Sequence, residues 1–108
     1  MRAAGLLGFA TLIWTASLPV RSATPDKLMA LGQHLAQECV SCHRLDGTDN
    51  GIPSIVHLDP EYFAKVLSFY KTGERNNPAM VSVAQSLDEE QIRALSLYLA
   101  SLPAKGAR

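Results

Sequence analysis

Neither sign of charge is in excess: ten basic residues face ten acidic ones, and the formal net charge at pH 7 is zero. A nucleic-acid-binding domain would carry a basic excess on one face, so that class has no electrostatic support. Cysteine is limited to two residues and histidine to three. A zinc site needs a second pair of ligands, and the histidines away from the cysteines, His34 and His57, are not at finger spacing. No alternation of apolar and polar residues marks a β-strand, and there is no internal repeat or low-complexity tract. One further absence is local: no charged residue occurs between Ala3 and Val20.

That charge-free stretch follows a basic start at Met1 and Arg2. It has an apolar centre from Leu6 to Trp14 and a breaker at Pro19, and it runs into Arg21, Ser22 and Ala23. The pattern is that of a secretory signal peptide. Cleavage after Ser22, with Val20 at the third position back, divides the chain into a signal at 1–22 and a domain at 23–108. The alternative is an uncleaved anchor, since about 18 apolar residues suffice to cross a bilayer. Only then would the chain be held at a membrane. Loss of Arg2 and Arg21 leaves eight basic against ten acidic residues, a formal charge of −2. A domain of this size has a marginal apolar core unless something else fills it.

What the chain does have is one compact motif: Cys39, Val40, Ser41, Cys42, His43, or CxxCH. Two thiols one helical turn apart can both reach the vinyl edges of a porphyrin and form thioethers, and the adjacent imidazole is carried beneath the ring toward the iron. The segment therefore predicts one covalent haem c on Cys39 and Cys42, with His43 as proximal ligand. A buried porphyrin would also supplement the small core. The competing readings are a disulfide, which an oxidising compartment favours, and a thioredoxin-like pair. The latter follows a strand, whereas the residues before Cys39 read as a helix.

That helix begins with Thr24 as N-cap, Pro25 and Asp26, carries Leu28, Leu31 and Leu35, and ends at the motif. Arg44 to Ile55 is dense in turn formers, including Asp46, Gly47, Asp49, Asn50, Gly51 and Pro53, and predicts a loop. Asp59 and Pro60 open a second helix with an apolar stripe of Tyr62, Phe63, Val66, Leu67 and Tyr70 and a stop at Gly73. Asn76, Asn77 and Pro78 lead into a short helical segment through Ala84. Ser86 to Glu89 matches a capping box for the last helix, striped by Ile92, Leu95, Leu99 and Leu102 up to Pro103. Ala104 to Arg108 is a frayed tail. The expected fold class is all-α, about four helices.

The far side of the iron needs an occupant or a vacancy, and the choice separates electron carriers from gas-binding or catalytic haems. Met29, His34, His57 and Met80 are the candidates. Met80 is selected because it follows a Pro/Asn-rich segment 37 residues after His43, far enough to cross to the distal face. The ordinary reading of a methionine is core filler. Met29 and His34 lie on the first helix, and His57 is in a loop that could swing toward iron.

These residues together resemble the class I c-type cytochromes: a helix ending in CxxCH, a Gly-x-Pro loop at Gly51 to Pro53, a methionine loop, and a final helix reading LSLYLASL from Leu95. The resemblance implies that fold around one covalent haem. It implies that Gly32 on the first helix meets Tyr98 on the last. It also implies that the Pro53 carbonyl accepts a hydrogen bond from the outer nitrogen of His43; an ordinary turn proline is the alternative. Pro53-Ser54-Ile55, Leu58-Asp59-Pro60 and Phe69 to Glu74 are similar to the cytochrome subunits of flavocytochrome c sulfide dehydrogenases and to halves of related dihaem cytochromes. Arg44 departs from the glycine usual after the haem histidine. With a single CxxCH, this chain holds one haem.

The expected function is therefore a periplasmic His/Met-ligated electron carrier, not an enzyme, with no small-molecule substrate at the iron. Its partners are redox proteins, among them a flavoprotein dehydrogenase subunit if the chain serves a sulfide or other sulfur-oxidising dehydrogenase. The alternatives are a free soluble carrier to a terminal oxidase or reductase, and a gas-binding haem protein. Lys65, Lys71 and Arg75 form a candidate basic docking patch, and Asp88, Glu89 and Glu90 an acidic one.

Overall fold

The computed structural model describes residues 22–104, preceded by Gly5, Gly8 and residues 10–19. Met1, Arg2, Val20 and Arg21 of the expected signal, and Lys105 to Arg108 of the expected tail, lie outside the described residues. Residues 10–19 have no regular secondary structure, and Leu12, Ile13, Trp14 and Leu18 are exposed. Among the described residues no helix is long and apolar enough to cross a membrane.

Among the described residues four helices make up the fold: α1 (Pro25–Cys39), α2 (Pro60–Thr72), α3 (Pro78–Gln85) and α4 (Glu89–Ser101). Among the described residues there is no strand. Proline occupies the first turn of α1, α2 and α3, where its missing N–H costs nothing. Asp59 caps α2 by accepting from the Tyr62 amide at 2.9 Å, and Gly73 ends it with φ of 81°, a conformation that costs other residues more. The Thr24 side chain makes no capping bond; its carbonyl alone accepts from the Leu28 amide.

Two expectations from the sequence shift. The capping box of α4 is built from Asp88 and Gln91, each side chain bonding the other's amide at 2.8 and 2.9 Å, and not from Ser86 and Glu89. Ser86 instead closes α3, its hydroxyl donating to the Val83 carbonyl. Tyr62, placed by periodicity on the buried stripe of α2, is 56 % exposed. It sits one position to the side of Phe63 and Leu67, which are buried.

α1 crosses α4, while α2 packs on both α3 and α4. The buried seam of α1 is Leu28, Gly32 and Ala36. At the crossing, a Cβ on Gly32 would overlap the Ala94 carbonyl oxygen and approach the Tyr98 Cβ to 2.6 Å. Only a residue without a side chain lets the two backbones lie this close. Below the crossing, Ala36, Val56, Phe63, Leu67, Ala84, Ile92, Leu95 and Leu99 form the core. This frame fixes where α1 ends, and so where the cysteines stand.

Candidate haem-binding site

The last turn of α1 sets up the motif. The amides of Cys42 and His43 both donate to the Cys39 carbonyl, at 3.2 and 2.8 Å, so the chain coils tightly and brings both cysteines and the histidine to one end of the helix. Both thiols are free. Cys39 is half-buried at the rim of the core, and Cys42 is exposed. Burial pushes the Cys39 thiol above its ordinary pKa, and the neighbouring Glu38 charge adds to the effect.

His43 turns its Nδ1 toward the loop, where Nδ1–H donates to the Pro53 carbonyl at 2.7 Å. A carbonyl accepts only, so the bond fixes the tautomer and leaves Nε2 with a free lone pair. The loop that presents Pro53 is braced by its own side chains. Asp46 accepts from the Thr48 amide and from Arg44, whose guanidinium lies 2.8 Å away, and Asp49 accepts from the Gly51 amide. The Arg44 hydrogen bond first, and Thr48 second, hold the Asp46 carboxyl well below the usual carboxylate range. Arg44, the departure from the expected glycine, thus has a structural partner two residues on.

Met80 lies in the first turn of α3, its amide capped by the Asn77 side chain at 3.1 Å. It packs at the rim of the same core that Cys39 borders. The other candidates are placed differently. Met29 is half-buried on α1 outside that cluster, and His34 is exposed. His57 is exposed at φ of 57°, its amide donating to the Leu99 carbonyl at 2.9 Å. Leu35, Leu45, Ile55, Leu58 and Tyr70 are half-buried around the same core. A porphyrin face is an apolar plate, and a set of half-covered apolar side chains beside two thiols and a free imidazole nitrogen fits such a group. Val40, Ile52 and Val83 are 49 %, 44 % and 44 % exposed, each adjoining one of these segments.

The candidate docking patches are internally engaged. The Lys65 ammonium lies 5.7 Å from the Phe69 ring centre and the Arg75 guanidinium 5.0 Å from that of Tyr70. Lys71 donates to the Leu87 carbonyl, a contact between residues 16 apart that no sequence pattern signals. On the acidic side, Asp88 is spent on the α4 cap.

Residues 29–103 match the family model for cytochrome c. The chain is 31% identical over 98 residues to a protein of Thiomonas intermedia (strain K12) named thiosulfate dehydrogenase electron acceptor, covering 88% of this chain and 41% of that protein. It is 30% identical over 104 residues to the protein of the same name in Stutzerimonas stutzeri (strain A1501), covering 92% of this chain and 47% of that one. It is 34% identical over 71 residues to cytochrome c-553 of Helicobacter pylori (strain ATCC 700392 / 26695), covering 63% and 74% respectively. The chain spans less than half the length of the two electron acceptors. The chain belongs to the cytochrome c family: an electron-transfer domain with one covalently attached haem c.

Proposed function

We propose that this is a periplasmic monohaem carrier whose iron is held by His43 and Met80, and which accepts electrons from a sulfur-oxidising dehydrogenase. The observation that carries the ligation is the 2.7 Å hydrogen bond from His43 Nδ1 to the Pro53 carbonyl. It commits the imidazole to the tautomer with Nε2 available and makes that nitrogen more basic. When bound, the haem supplies a one-electron ferric/ferrous couple. Met80 supplies a thioether, which favours the reduced state and raises the potential. With His43 and Met80 both holding the iron, no place would remain there for a small-molecule substrate. Val40, Ile52 and Val83 are exposed apolar side chains of the kind a transient docking surface uses.

The partner is supported by the relatives named as electron acceptors of thiosulfate dehydrogenase. The signal-like sequence pattern of residues 1–22, a basic start, a charge-free apolar stretch and a proline breaker, supports the location. Met80→Ala removes the weak long-wavelength band of a methionine-ligated ferric haem and lets carbon monoxide bind the reduced protein rapidly. Survival of the band, or rapid full binding of carbon monoxide by the unaltered protein at neutral pH, refutes the ligation. For the partner, stopped-flow mixing with a thiosulfate-oxidising dehydrogenase and thiosulfate reduces the haem; copurification with a flavoprotein would assign it to a sulfide dehydrogenase instead. Cell fractionation, with N-terminal sequencing of the native protein, tests location and the cut after Ser22.

A further inference from the structure

We infer that Lys71 is a positioning residue for Met80, setting how readily that side chain leaves its place opposite His43. The inference rests on the His/Met reading above.

α3 has 8 residues, too few to hold helical shape without support. Its backbone packs against α2 alone among the described helices. Its other hydrogen bonds travel with it: Asn77 to the Met80 amide, the Val81 amide to Asn77, and Ser86 and the Leu87 amide to the preceding turn. Among the described residues, one hydrogen bond crosses from the segment 77–87 to the rest of the protein, and it is Lys71 to the Leu87 carbonyl. Met80, Ala84 and Leu87 also pack on the core, but apolar contact tolerates sliding. A charged donor on a backbone carbonyl fixes a register. Lys71 is in the last turn of α2, the helix against which α3 rests, so the bond ties the chain just beyond the end of α3 back to α2.

The test is displacement of Met80 by imidazole in the ferric holoprotein, followed by loss of the long-wavelength band. Lys71→Met keeps the stem and removes the donor. It binds imidazole about fivefold more tightly, as loss of one partly exposed hydrogen bond predicts. Lys71→Arg keeps the donor and stays near the unaltered protein. Lys65→Met, on the same helix but over Phe69, changes nothing. Unmoved affinity in Lys71→Met, or an equal rise in Lys65→Met, overturns the inference. If Lys71→Met does not accumulate, Lys71→Gln gives the same comparison with a rise of about twofold; no rise overturns it. A ferric protein that lacks the band before any substitution refutes the His/Met reading, and this inference with it. A normal band with unmoved affinity refutes the role of Lys71 alone.

Discussion

At Gly32 the absence of a side chain is a structural requirement. A methyl group there would meet the Ala94 backbone oxygen, which cannot rotate aside, and the Cβ of Tyr98. Gly32→Ala gains about 1 kcal/mol of helix propensity but overpacks the α1–α4 crossing. The expected net loss is about 2 kcal/mol by urea denaturation, an overpacking cost of about 3 kcal/mol less that gain; a neutral result would mean the helices lie farther apart. Asp46 makes a prediction about pH. Its folded pKa is depressed, so its contribution to stability is present above the unfolded value of about 4 and is lost as pH falls through the folded value. Asp46→Asn is therefore less stable than the unaltered protein at neutral pH, and the gap closes in acid. A gap that widens in acid contradicts that sign. The site residues differ in how far sequence reveals them. Cys39, Cys42 and His43 are legible because their chemistry is contiguous. The bond from His43 to Pro53 spans ten residues and was expected only through a family resemblance. The tie from Lys71 to Leu87 ends on a backbone carbonyl, which every residue has, and so leaves no compositional trace.

Between elements, the difficulty lies in boundaries. All four helices are visible in the apolar spacing, and each start is marked by a capping residue or proline. The start of α4 was displaced by two residues because Ser86 with Glu89 and Asp88 with Gln91 both satisfy the pattern of a box. Ser86 is needed to finish α3, only two residues before the next cap. The two roles separate experimentally. Asp88→Ala leaves the Gln91 amide without its acceptor and costs about 1 kcal/mol of thermal or chemical stability. Ser86→Ala removes a bond within the last turn of α3 and costs less; the reverse order would restore the box to Ser86. Tyr62 shows the other limit of pattern reading. A stripe wide enough to include it was one position wider than the face α2 buries.

For the whole molecule, the interior is thin. Among the described residues, the largest fully buried side chains are Leu95 and Leu99, and much of the core surface is lined by half-covered residues such as Leu45, Ile55, Leu58 and Met80. A porphyrin seated there would cover them, so the fold and the cofactor are expected to be thermodynamically coupled. The protein with Cys39 and Cys42 both replaced by Ala, expressed without haem, should lose the sharp thermal transition of the holoprotein while keeping part of its helical circular dichroism. A sharp transition at the same temperature would show that the four helices suffice. The loop from Pro53 to His57 adds a link across the molecule. One end holds the imidazole of His43, and the other donates the His57 amide to Leu99 near the end of α4. That amide is a built-in gauge: its hydrogen-exchange rate reports whether the C-terminal helix and the loop that holds His43 loosen together or apart.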